Sequence, residues 1–193
     1  KQCDSPYECP LKEECWSFLP ENNIFDMYGS KKDAFELFEK GIYSFKDIPD
    51  GSPLSGKQEI QKGCDISEKP HIDQEPIRQF LNNLEYPLYY LDFETFSGAI
   101  PLFDGTRPYQ QIPFQFSLHV VDVENATPRH YSFLANAEGD PRAEFVVSLK
   151  RVLDNSGSIV VYNQSFEKGV LSALAEMFPE YNDWVETLND RII

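Results

Sequence analysis

The chain has little of what would place it in a membrane, outside the cell, or on a bare phosphate backbone. None of its apolar runs approaches the roughly 20 residues that a membrane-spanning helix needs. Its N-terminus shows no charged-then-apolar stretch of the secretory kind, so a soluble, cytoplasmic protein with no membrane partner is expected. Positive charge is also scarce: 17 Lys and Arg stand against 32 Asp and Glu, a formal net charge of −15 over 193 residues. That balance argues against a broad basic surface of the kind that grips phosphates regardless of sequence. Most of the acids read as a solvated, solubilising surface. Histidine is sparse too, and His71, His119 and His130 all lie before residue 131.

What the chain does have is a core. With 41% hydrophobic residues and 14% aromatics it is globular rather than disordered. Its length suits one sizeable domain of 100–150 residues with a smaller appendage.

Three of the four cysteines, Cys3, Cys9 and Cys15, cluster in the opening "KQCDSPYECPLKEECW", each pair separated by five residues. Three clustered thiols leave one unpaired in a disulfide framework, and thiolate ligands for iron–sulfur or zinc suit a reducing compartment better. The start, which has no initiator Met, reads as the tail of something longer. Residues 1–20, broken by Pro6, Pro10 and Pro20, form this cysteine segment.

Residues 30–49 read as helix, turn and short helix, with Ser30 as N-cap, a stripe of Ala34, Leu37 and Phe38, and Gly41 at the C-cap. Such a unit either packs or touches a nucleic-acid backbone. The Gly-, Pro-, Ser- and Lys-rich text from 50 to 70 reads as a linker closing a 21–70 segment. Residues 73–84 read as a helix with Ile77, Phe80, Leu81 and Leu84 on one side, leading into a domain over 71–193.

That domain opens on "PLYYLDFETF", residues 87–96, whose apolar and β-branched character suits a strand buried on both faces. Two acids interrupt it. Side chains two apart on a strand share a face, so Asp92 and Glu94 point the same way. Carboxylates side by side in a low dielectric must be paired, protonated or bound to a cation. A divalent metal answers that need, and an ion pair with Lys or Arg is the alternative. The same Asp-x-Glu spacing at Asp73–Glu75 and Asp122–Glu124 lies at exposed element ends and carries no such demand.

Downstream, "PFQFSLHVV" alternates Phe114, Phe116, Leu118 and Val120 with polar residues, a strand with one polar face. A partner strand follows at 128–134, then a helix over 140–153, a short buried strand at 157–163 and a helix from about 165 to 178. In that last helix Glu167 precedes Leu171, Leu174 and Phe178 by four, seven and eleven positions, so this first-turn acid shares the core-facing stripe. It lies near the positive helix end, which favours its ionised form by about 0.3–1 kcal/mol. A first-turn glutamate that merely complements the dipole is the plainer reading.

Three strands followed by helix, strand and helix is the opening of a ribonuclease-H-like α/β fold: a mixed sheet with flanking helices, in which the first and fourth strands lie side by side and parallel. A small helical and cysteine-containing segment precedes it. Glu167 would then be delivered beside Asp92 and Glu94. The strand-like "DRII" at 190–193 suggests a fold incomplete at its C-terminus.

On these residues the chain resembles the DEDD, or DnaQ-like, 3′–5′ exonucleases of the ribonuclease-H-like superfamily. "LDFET" at 91–95 looks like their first motif, matching at Asp92, Glu94 and Thr95. "YNQSFEKGVL" at 162–171 looks like the second, matching at Asn163 and Phe166, with Glu167 where Asp is usual. Residues 85–193, with phrasing such as "RPYQQIPFQFSLH", are similar to a bacterial family of such domains that follows a RecB-like, PD-(D/E)XK nuclease domain. "CDSPYECPLKEECW" looks like the end of that upstream domain.

The resemblance implies phosphodiester hydrolysis at the single-stranded 3′ end of a nucleic acid, with Mg²⁺ or Mn²⁺ held by Asp92, Glu94 and Glu167. Asn163, Thr95 and Phe166 would position the substrate. It also implies a [4Fe–4S] cluster in the intact protein, with Cys3, Cys9 and Cys15 as a partial ligand set. The fourth ligand would lie upstream, so the cluster is not expected in this fragment, and Cys64 is a poor substitute. Such enzymes use a third motif, a final Asp with a nearby His or Tyr. It is not found before Ile193, and little or no activity is expected of the fragment alone. The competing expectation is a degenerate nuclease-like module that binds or scaffolds.

Overall fold

A computed structural model describes Cys3, residues 7–29 and residues 31–193. Ser30, expected as a helix cap, and Pro6, expected to break regular structure, lie outside the described residues. The chain divides into two compact units, Lys1–Gln74 and Glu75–Ile193.

The first unit is built on a small core of Ile24, Met27, Ala34, Phe45 and Ile48. After the single turn α1 (Lys12–Cys15), Trp16 packs on Phe25 and Phe38, with ring centroids 4.4 and 6.4 Å away. The expected helix is α2 (Lys31–Glu39). It ends as expected at Gly41, whose φ of +77° suits glycine. The Gly41 and Ile42 amides donate back to the Phe38 and Leu37 carbonyls, closing a Schellman turn. The expected short helix is a 3₁₀ turn, Phe45–Asp47.

Residues 50–70 are not a linker. They contain α3 (Gly56–Ser67), opened by a capping box in which the Ser55 amide donates to Gln58 Oε1 at 2.8 Å and the Gln58 amide to Ser55 Oγ at 3.4 Å. The helix buries Gln58 and Lys62. Gln58 Nε2 donates to the Tyr28 carbonyl at 2.9 Å, and Lys62 Nζ donates to Asp50 at 3.0 Å. The Ser-x-x-Gln signature was present in the sequence, and the surrounding Gly, Pro and Lys obscured it.

The second unit begins with α4 (Gln74–Asn82), where the helix was expected. Its stripe of Ile77, Phe80 and Leu81 is exposed, not packed. A four-stranded mixed sheet follows: β1 (Leu88–Phe96), β2 (Ile112–Val121), β3 (Arg129–Leu134) and β4 (Ile159–Val160), in spatial order β3-β2-β1-β4. β1 runs antiparallel to β2 and, as expected, lies beside β4 and parallel to it. Three helices flank the sheet: α5 (Arg142–Val152), α6 (Gln164–Met177) and α7 (Asn182–Arg191).

One face of the sheet makes the core. Tyr89, Leu91 and Phe93 of β1 and Phe116, Leu118 and Val120 of β2 are buried in one cluster with Phe145, Val146 and Leu149 of α5. Val170, Leu171 and Leu174 of α6 and Val185 and Leu188 of α7 complete it. Phe145 is the hub, its ring meeting Phe93, Phe116 and Phe133 edge-on at 5.2, 5.6 and 6.0 Å. Such arrangements suit the aromatic quadrupole.

Three local expectations change. β1 is not buried on both faces: Tyr90, Asp92 and Glu94 are exposed, because α5, α6 and α7 pack in the core on the other side. The strand expected over 157–163 is ladder-paired only at Ile159–Val160, since the chain must turn early to cap α6 at Asn163. "DRII" is the end of α7 through Arg191, and only Ile192 forms a bridge, parallel to Ile159. No helix is long and apolar enough, among the described residues, to cross a membrane.

Candidate functional site

β1 carries Asp92 and Glu94 on one face, as the two-residue period requires. That face looks out to solvent. Its register continues across the sheet: Asp92 lies opposite Ser117, and Glu94 opposite Gln115. Just beyond, the ladder slips between Glu94 and Thr95, so Thr95 meets Pro113, and Phe114 is the extra residue on β2. Thr95 Oγ1 donates to Gln111 Oε1 at 2.7 Å, which ties the strand end to the preceding loop. Among the described residues neither Asp92 nor Glu94 forms an ion pair with Lys or Arg, so the salt-bridge alternative does not account for them.

Glu167 occupies the opposite environment. Asn163 caps α6, its Oδ1 accepting from the Phe166 amide at 3.4 Å and its carbonyl accepting from the Glu167 amide at 3.3 Å. This fixes the first turn. It sends Glu167 inward on the stripe shared with Val170, Leu171 and Leu174, where the residue is only 2% exposed. Its Oε2 has no hydrogen-bond partner among the described residues. Burial pushes the Glu167 carboxyl above the ordinary carboxylate range, and repulsion from Asp92 adds to the rise. The backbone amides of Glu167 and Asn163 pull the other way without prevailing. Desolvation therefore outweighs the favourable helix end, contrary to the expectation that the dipole would keep this group ionised.

The structure thus brings Glu167 within electrostatic reach of Asp92, from parts of the chain 75 positions apart in sequence. Glu94 shares the face of Asp92 but exerts no comparable repulsion on Glu167. Asn163 is a helix cap, and Phe166 is half-buried against the core beside it. Both have structural work to do whatever else they touch.

The fit to a cation is partial. Three carboxylates are hard oxygen donors of the kind that suit Mg²⁺ or Mn²⁺, and a buried carboxylate oxygen without a partner is what a cation would satisfy. Yet among the described residues no three His, Cys, Asp or Glu side chains stand close enough together to hold an ion as they are. The same holds for Cys3, Cys9, Cys15 and Cys64, which are all free thiols. Sequence periodicity found the acids. The polar partners opposite them, Ser117 and Gln115, needed the strand register and were missed.

Comparison with known proteins adds no activity. Residues 89–193 match a family model described as "Domain of unknown function (DUF2779)". The chain is 30% identical over 135 residues to "Uncharacterized protein MG366" of Mycoplasma genitalium, a stretch covering 65% of this chain and 20% of that protein. It is 35% identical over 170 residues to "Uncharacterized protein MG366 homolog" of Mycoplasma pneumoniae, covering 84% of this chain and 23% of the other. The chain therefore spans less than a quarter of the length of the curated relatives it matches. No solved structure matches it significantly.

Proposed function

The chain belongs to the DUF2779 family, and we propose that its second unit is a ribonuclease-H-like, DEDD-type domain for metal-dependent phosphodiester hydrolysis at the single-stranded 3′ end of a nucleic acid in the cytoplasm. One observation carries this reading. Glu167 keeps an unpartnered carboxylate oxygen in the core, in the field of Asp92, where a stability-only design would put a methylene. The strand order, with β4 parallel to β1 and followed by the helix that bears Glu167, supports it.

When bound, Mg²⁺ or Mn²⁺ supplies charge stabilisation of the attacking and leaving oxygens. The chain's own part is positional. Asp92 and Glu94 offer carboxylates on the open strand face, where a phosphodiester can approach. Asn163 and Phe166 fix the first turn of α6, so that Glu167 comes within the field of Asp92 from the buried side. Holding one ion with all three carboxylates would require them to draw closer together than they stand. In this reading the iron–sulfur cluster, with Cys3, Cys9 and Cys15 among its ligands, and the RecB-like partner domain belong to the longer protein.

A second reading, a nuclease-like module that binds or scaffolds, is favoured by the absence of a ready three-ligand group among the described residues and by the net charge of −15. Mn²⁺ titration of the chain by calorimetry separates the two. Saturable binding that disappears in Asp92→Asn and in Glu167→Gln is the expected result. Binding that survives Glu167→Gln, in a variant that remains folded, removes the enzymatic reading and leaves the scaffold.

A further inference from the structure

The open face of the sheet carries a second constellation, independent of the carboxylates. Strand register aligns Tyr90, His119 and His130 in one row across β1, β2 and β3, next to the row of Asp92, Ser117 and Ser132. His119 and His130 are direct cross-strand partners, both exposed, with ring centroids 4.3 Å apart and planes 20° from parallel. His130 Nε2 also shares a 3.1 Å hydrogen bond with Ser117 Oγ.

The geometry points to a binding site for a single borderline transition-metal ion, Zn²⁺ or Ni²⁺ in kind, bridged between the imidazoles of His119 and His130. Neutral imidazole is the side chain best matched to such ions. Side chains directly opposite on antiparallel strands have Cβ atoms about 4.5–5.5 Å apart, so small ring rotations aim one nitrogen of each at a common point. The Ser117 hydroxyl, which can donate or accept, orients the His130 ring, the service that an outer partner performs for a ligating histidine. Two imidazoles are fewer than the four ligands of a closed structural site, so the ion keeps water in its open positions. Along the strands this row lies about 7 Å from that of Asp92, two residues away. A divalent ion there would place positive charge beside an acidic face. Mg²⁺ is not its ligand, because a hard ion prefers oxygen donors.

The test is a Zn²⁺ titration of the full chain with its thiols alkylated, followed through the ring nitrogens in histidine ¹H–¹⁵N correlation spectra. His71, exposed and in the other unit, is the internal control. Zn²⁺ is expected to shift the His119 and His130 ring nitrogens together, saturating at one equivalent, while His71 stays put and Mg²⁺ moves none of them. His119→Gln should abolish the His130 response, with far-UV circular dichroism unchanged because both positions are exposed. The inference fails if only one of the two rings responds, if His71 responds at the same concentrations, if neither ring moves, or if His130 still shifts in His119→Gln.

Discussion

Along β1, Tyr89, Leu91 and Phe93 alternate with Tyr90, Asp92 and Glu94, yet the first three are nearly inaccessible and the second three stand in solvent. The same contrast runs across β2, where Phe116, Leu118 and Val120 face the helices while Gln115, Ser117 and His119 face away. One face accordingly sets the fold, and the other is free to carry chemistry. Glu167 is the exception that connects them, a carboxylate on the core side with one oxygen unpartnered among the described residues.

The sharpest way to break this division is through stability. Phe145→Ala removes the ring on which Phe93, Phe116 and Phe133 converge, and it should cost about 3–5 kcal/mol. Ser117→Ala on the open face should stay within about 0.5 kcal/mol. Urea unfolding of the two variants measures both. Comparable losses would mean that the open face is packed in solution.

Glu167→Gln probes the exception. The folded carboxyl titrates above its ordinary range, mainly through burial and then through Asp92. The fold therefore binds that proton more tightly than the unfolded chain does. The stabilisation it confers is complete below the unfolded pKa and is lost as the pH rises through the folded one. At pH 7 ionisation favours the unfolded parent over the folded one, so Glu167→Gln should be more stable by about 1 kcal/mol. Near pH 4, where the parent carboxyl is already protonated, the gain should vanish. Thermal melts at the two pH values check the sign; a destabilised variant at pH 7 would show that Glu167 has a partner after all.

Much of this arrangement is legible in the sequence, because it rests on periodicity. The period of two placed Asp92 and Glu94 on one face of β1, and the helical period put Glu167 on the inward stripe of α6. The adjacency of β1 and β4 followed from the order of the elements. What stayed hidden depends on tertiary context. Whether the second face of β1 is covered depends on helices elsewhere, and eight apolar or β-branched residues in ten suggested cover that is not there. The capping box of α3 sat in Gly- and Pro-rich text that resembles a linker. The pairing of His119 with His130 is a matter of register, which the chain leaves unstated until β2 and β3 are laid side by side.

The gentlest perturbation tests whether the two faces communicate. Asp92 is, among the described residues, the one charged side chain whose repulsion raises the Glu167 carboxyl; Glu94 shares its strand face but not that role. Asp92→Asn should therefore bring the Glu167 carboxyl back toward its ordinary range while leaving stability within about 0.5 kcal/mol, because residue 92 is exposed. Glu94→Gln should leave the Glu167 titration where it was. Side-chain carboxyl ¹³C titration of both variants measures this. Should Glu94→Gln move Glu167 as far as Asp92→Asn does, all three acids already share one field in the metal-free chain, and the distinction drawn between Asp92 and Glu94 falls.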